Sequence, residues 1–241
     1  MNIALISKKF INNDISYNLS VILNTMDELT QQVDFICFGE AFLQGFDCLS
    51  WNYSTDKNIG ISCSSSIINT ICKKAIDCKI AVAFGYIESD AERLFSSYMV
   101  ISKFGKIIYN YRRISTGWKE SIADYHYQEG ADCLPFEIDG ITFSIGLCGD
   151  LWDDSIINSI AILNTNITLW PVYLDYSESK WNDGEKIEYA KQSALFNSKV
   201  LLVNSLCDGA NKAKGASAYF VDGLIKDEVL PGSEKALIIE V

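Results

Sequence analysis

The sequence predicts an α/β fold of two mixed sheets, each with helices on its outer face. Short apolar runs of strand length alternate with amphipathic stretches of helical period, and hairpin signals interrupt that alternation. Hairpins mixed with β-α alternation fit two sheets better than one doubly wound sheet. The 241 residues are 49% hydrophobic and 21% charged, with 3 prolines, and show no linker, repeat or shift in composition, so one domain over 1–241 is expected.

Ile3–Ser7 reads as a short buried strand. Residues 15–32 carry Leu19, Val21, Ile22, Met26 and Leu29 at near-helical spacing. Asp34–Phe38 is a second strand whose end delivers Gly39 and Glu40 into a loop, a common place for chemistry in layered α/β proteins. After a serine-rich loop, Ile67–Cys78 is helical and Ile80–Ile87 is a strand with small residues at alternate positions. Ser96–Ile101 and Lys106–Arg112 form a hairpin turning at Phe104-Gly105-Lys106. A second hairpin turns at Asp139-Gly140 inside Phe136–Cys148, and its outgoing strand runs into Cys148-Gly149-Asp150. Ile156–Leu163 is helical, Ile167–Pro171 a strand, Gly184–Ser198 an amphipathic helix and Val200–Asn204 a buried strand. Ala216–Val221 and Lys235–Val241 complete the sheets.

Lys and Arg number 20 against 31 Asp and Glu, a net charge of -11, which argues against nucleic acid because phosphate binding needs a cationic face. No apolar run reaches membrane-spanning length and the first residues lack a signal-peptide pattern, so a cytoplasmic location and no membrane partner are expected. The eight cysteines are then expected to stay reduced, most as small buried hydrophobes. No Cys-x-x-Cys pair occurs and His126 is the only histidine, which disfavours a metal site and removes Ser-His-Asp and Cys-His mechanisms unless His126 is the base.

Three places put reactive side chains beside glycine after a buried run. Glu40 follows Phe35–Phe38, where partial desolvation raises a carboxyl pKa and suits it to be a general base. Cys148 ends a strand before Gly149, where a helix N-terminus can lower a thiol pKa, a backbone N–H can meet an oxyanion, and a glycine admits a substrate carbonyl. Tyr109–Glu120 ends a strand with Arg112, Arg113, Lys119 and Glu120. Singly, each has an ordinary reading: a solvated acid, a core cysteine, a basic rim.

Together and in this order they resemble the nitrilase superfamily of carbon-nitrogen hydrolases, which use a Glu, Lys and Cys triad. Gly39-Glu40 with Phe42, Gly45 and Phe46 is similar to the glutamate motif, with Gly39 where a proline is commoner. Tyr111-Arg-Arg113 is similar to the Tyr-Arg-Lys motif and Gly146-Leu-Cys-Gly-Asp150 to the cysteine motif. Leu169-Trp-Pro171, Trp181, the helix through Ala190 and Asn197, Val203-Asn204 and Gly215-Ala-Ser217 resemble the C-terminal half.

The resemblance implies an α-β-β-α sandwich, homodimers or larger homo-oligomers, and hydrolysis of a small amide or, as a lesser option, a nitrile, without cofactor or metal. Glu40 would be the base, Cys148 the nucleophile and Gly149 an oxyanion-hole donor. Arg113 stands where the family has its lysine, with Glu120 at the spacing of the second glutamate that holds it. Arginine can hydrogen-bond an oxyanion but stays charged and cannot cycle a proton. Two alternatives follow: Lys119 folds inward to supply the ammonium, or the chain is a catalytically impaired small-molecule binding protein of the same fold. A thiol redox sensor using Cys148 is a third reading.

Overall fold

The computed structural model describes residues 1–241 and contains two six-stranded sheets. The chain begins with β1 (Asn2–Ser7), α1 (Ile15–Glu28), β2 (Phe35–Cys37), the one-turn α2 (Tyr53–Asp56), α3 (Ser66–Cys78), β3 (Ala81–Asp90), β4 (Arg93–Ile101) and β5 (Ile107–Arg112). It continues through β6 (Phe136–Ile138), β7 (Ile141–Ile145), α4 (Asp154–Ala161), β8 (Ile167–Val172), the short α5 (Glu178–Lys180) and α6 (Lys186–Ser193). β9 (Lys199–Asn204), β10 (Ser217–Val221), β11 (Leu224–Val229) and β12 (Lys235–Glu240) end it.

Period-2 alternation of apolar residues sorts each central strand between two cores. Ile3 and Leu5 of β1 face the space between the sheets, where they meet Leu169, Leu201 and Val203 of the second sheet. Ala4 and Ile6 face outward onto Ile22 and Met26 of α1 and Ile68 and Ile71 of α3. On the far side, Trp170, Val172 and Leu202 face Ile156 and Ile160 of α4 and Tyr189 and Ala190 of α6. Strands buried on both faces read as continuous apolar runs, which is why they were visible in the sequence. The layers are therefore α-β-β-α, as the resemblance implied.

The strand orders are β12-β1-β2-β3-β4-β5 and β11-β10-β9-β8-β7-β6. In each sheet three parallel strands, β1-β2-β3 or β7-β8-β9, continue into two antiparallel ones. β12 closes the first sheet antiparallel to β1 as β6 closes the second against β7. The two halves share a topology although the sequence shows no repeat, because topology needs only the apolar pattern and the turns. Side-chain caps start the helices: Asp14 accepts from Tyr17 N–H, Ser65 from Ile68 N–H, and Asp153 from Ser155 and Ile156 N–H.

Three differences from the expected elements have local causes. α1 stops at Glu28 rather than residue 32, with Leu29 non-helical and Gln31 in the left-handed region at φ 66°. α6 covers Lys186–Ser193, because residues 181–185 form a separate wide turn that buries Trp181, and residues 194–198 turn toward β9. β11 was not expected, yet Asp222-Gly223 before it has φ 52° and 71°, the same double left-handed turn as Asp139-Gly140 at 50° and 82°. No helix is long and apolar enough to cross a membrane.

Candidate active site

Glu40 lies three residues beyond β2 in a loop stapled across its neighbours: Gly85 N–H donates to Gly39 O at 3.1 Å, and Leu43 N–H to Gly85 O at 3.1 Å. Gly39 N–H donates to Ser205 Oγ at 3.2 Å, and a Cβ on Gly39 would stand 2.7 Å from that oxygen. A proline there would lose the donor and collide, which explains this departure from the commoner motif. The Glu40 carboxylate is buried, and Oε1 accepts from Arg113 Nη1 at 2.8 Å and from Ser96 Oγ at 3.4 Å. Oε2 is buried with no partner.

Arg113 leaves β5 on the same face as Tyr111, as strand alternation requires, and is only 4% exposed. Its Nε donates to Ser115 Oγ at 2.9 Å. Burial opposes its charge, but Glu40, Cys148 and Asp150 outweigh that cost and hold the guanidinium ionised. Nη2 packs over Gly149, where a Cβ would lie 2.5 Å away. The room at Gly149, expected to admit a substrate carbonyl, is thus taken by the guanidinium, because arginine reaches farther than lysine.

Cys148 opens a tight turn, Cys148–Trp152, between β7 and α4, in the left-handed region at φ 51°. Two contacts hold that unusual backbone. Trp170 Nε1 donates to Cys148 O at 2.9 Å, and the buried Asp150 collects Leu147 N–H at 3.0 Å and Tyr111 Oη–H at 2.6 Å. The other Asp150 oxygen accepts from Ile114 N–H at 3.2 Å and Ser115 N–H at 2.7 Å. One carboxylate therefore ties the Cys148 turn to the segment carrying Arg113. Asp150→Asn, which turns a donor toward N–H groups, is expected to destabilise the fold by about 2–3 kcal/mol. Thermal unfolding beside an exposed Asp154→Asn control checks this.

Burial pushes the Cys148 thiol from its ordinary 9.0 up to about 12, with the Glu40 charge adding to the rise and Arg113 and the Tyr173 N–H opposing it. The expected lowering by a helix N-terminus does not prevail: α4 begins six residues later behind its own Asp153 cap, and desolvation wins. Alkylation of Cys148 by iodoacetamide, read by peptide mapping, should therefore rise steadily through pH 9 with no plateau near neutrality. The raised thiol pKa contributes stability that is complete below pH 9 and is lost as pH climbs toward 12.

The structure brings Glu40, Arg113, Cys148 and Gly149 together and leaves Lys119 and Glu120 apart. Lys119 Nζ donates to Tyr127 O at 3.0 Å and pairs with Glu129. Glu120, expected to hold Arg113, is exposed, and the counter-ion is Glu40. The cause is Trp118, which buries among Cys48, Ile87, Leu94 and Tyr127 and directs the following residues away. His126 stacks on Tyr53 with centroids 3.7 Å apart and pairs with Asp124. Sequence reasoning missed Ser96 and Tyr173, and it singled out Trp170 within Leu169-Trp-Pro171 without assigning it a role. Tyr173 had no signal beyond its place after a buried strand, and its backbone N–H acts on the Cys148 sulfur. No three His, Cys, Asp or Glu side chains cluster as metal ligands.

The sequence profile of the carbon-nitrogen hydrolase family matches residues 2–193. The chain belongs to the carbon-nitrogen hydrolase family. This carbon-nitrogen hydrolase is similar in fold to the amidase of the nitrilase superfamily from Nesterenkonia AN1, with TM-score 0.81 and 15% identity over 100% of this chain and 90% of that one. A CN-hydrolase superfamily protein from Xanthomonas campestris, XC1258, solved with an arsenic adduct in its active site, gives TM-score 0.81 and 16% identity over 99% and 89%. The glutamine-dependent NAD+ synthetase of Acinetobacter baumannii gives 0.78 and 17% over 98% of this chain and 44% of that chain. No curated protein matches the chain.

Proposed function

We propose that this carbon-nitrogen hydrolase cleaves small non-peptide amides through a thioester on Cys148, with Glu40 as general base and Arg113 in place of the usual lysine. The observation that carries this reading is the division of labour on Glu40: Arg113 holds Oε1, while the buried Oε2 beside Cys148 is free to take a proton. A thiol with a pKa near 12 is protonated at rest, so attack requires that transfer. Sulfur then bonds to the carbonyl carbon and the carbonyl oxygen gains negative charge. The Tyr173 N–H and the Arg113 guanidinium are the donors near the sulfur that can meet it. Because Arg113 keeps its protons, Glu40 alone returns the proton to the departing ammonia or amine. Water activated by Glu40 then cleaves the thioester and releases a carboxylic acid.

A variant of the Nesterenkonia amidase carries the acetamide moiety of fluoroacetamide on its active-site cysteine, which supports a small amide as the substrate class for the present chain. Ammonia release from a panel of short primary amides tests the reading. Turnover is expected from the wild type and none from Cys148→Ala. Equal release by both would overturn it, and saturable amide binding without any release would instead identify a small-molecule binding protein.

A further inference from the structure

The β3-β4-β5 half of the first sheet carries two sets of the same side chains, back to back. On the inner face Ser96 and Arg113 engage Glu40 beside Cys148. On the outer face their chain neighbours Ser97 and Arg112 engage Glu88: Ser97 Oγ donates at 2.6 Å, Arg112 Nε at 2.9 Å and Arg112 Nη2 at 2.5 Å. Cys63 stands beside this second set, its sulfur 3.7 Å from Glu88 Oε1 and 3.2 Å from Tyr86 Oη. The alternation of β4 and β5 produces the duplication, since adjacent residues face opposite sides.

The second set is not a second catalytic centre. Glu88 Oε2 takes three donors, from Ser97, Asn110 and Arg112, and Oε1 takes Arg112 and the Cys63 thiol, so no oxygen is left to accept a proton as Glu40 Oε2 can. Arg112 lowers the Glu88 pKa against the rise that burial imposes. What the set does is fix a guanidinium at the base of an open cleft of about 640 Å³, a size ordinary for small-molecule sites.

The chemistry of the cleft selects its occupant. Arg112 lies 3.9 Å over the Phe95 ring and makes no hydrogen bond through Nη1. Arg93, 5.7 Å from the same ring, has only a loose 3.8 Å contact with Asp90. Both guanidiniums reach Asp90 Oδ2, Arg112 Nη2 at 2.8 Å and Arg93 Nη2 at 3.8 Å, which brings them side by side and leaves Arg112 Nη1 and the remaining Arg93 donors to meet a further planar carboxylate. Four acids, Glu88, Asp90, Glu129 and Asp132, also line the cleft, which repels a dianion such as phosphate. Glu88 and Asp90 are spent on Arg112 and Glu129 on Lys119, while Asp132 has no ion pair and is free for a cation. Tyr109, Ala131 and Leu134 supply apolar wall.

We propose that this outer cleft is a binding site, distinct from the Cys148 site, for a small zwitterion of the amino-acid class: carboxylate on Arg93 and Arg112, ammonium toward Asp132, side chain against Leu134. The proposal goes beyond amide hydrolysis and does not depend on it.

Calorimetric titration with L-leucine tests this, with acetate, inorganic phosphate and methylamine as controls, and none of the readings involves turnover. Leucine is expected to bind with a Kd of about 1 mM or below and the controls at least about tenfold more weakly. Because Cys63 lines the cleft, saturating leucine should slow its modification by N-ethylmaleimide at pH 9 while leaving Cys72 unaffected. Arg93→Gln and Asp132→Asn, both exposed and outside the buried pair, should each weaken binding about tenfold without changing Tm. The proposal is overturned by no saturable leucine binding up to about 10 mM, by acetate or phosphate binding as tightly as leucine, by an unprotected Cys63, or by unchanged affinity in both variants.

Discussion

Glu40→Gln is expected to lower amide turnover by about 100-fold or more while making Cys148 easier to alkylate. The two effects separate because the proposed mechanism gives Glu40 two roles. As a base it supplies the proton acceptor, which glutamine cannot. As a charge it raises the thiol pKa, and removing it leaves Arg113 as the dominant neighbour of the sulfur, which favours the thiolate. The glutamine side chain can still accept from Arg113 Nη1, so the local shape is kept. Iodoacetamide labelling and ammonia release on one preparation give both readings. Wild-type turnover in the variant would remove Glu40 from the mechanism, whatever the labelling rate.

Arg113→Ala carries the second large effect, on stability and turnover together. It strands a fully buried carboxylate whose Oε2 is already unpartnered, and breaking a buried pair in this way costs about 3–5 kcal/mol. In the proposed mechanism it also removes a donor from the carbonyl oxygen, for an expected loss of about 100-fold to 1,000-fold in kcat. Arg113→Lys separates the two: an ammonium restores the pair with Glu40 and most of the stability, but it cannot also hold Ser115 through a second edge of a fork. Lys119→Ala should leave turnover near wild type, since Lys119 is spent on Glu129 and Tyr127. Loss of activity in Lys119→Ala with an intact Arg113→Ala would reverse the assignment.

Whatever depends on chain-local pattern was legible in the residues alone. Runs such as Val200–Asn204 showed strands buried on both faces, and Asp139-Gly140 placed a hairpin to the residue. The order of Glu40, Arg113 and Cys148 after buried runs was enough to name a family and a sandwich of two sheets. Tertiary structure alone decided the pairings. Nothing local says that β12 returns to the first sheet beside β1, or that Arg113 takes Glu40 rather than Glu120, since these partners lie 73 and 7 residues away along the chain. Burial decided the state of the thiol: a helix N-terminus is visible in sequence, but the desolvation that overrides it at Cys148 depends on the surrounding protein. The Glu88–Arg112 set was hidden for the same reason, because strand alternation puts adjacent residues on opposite faces but only packing shows what each face meets.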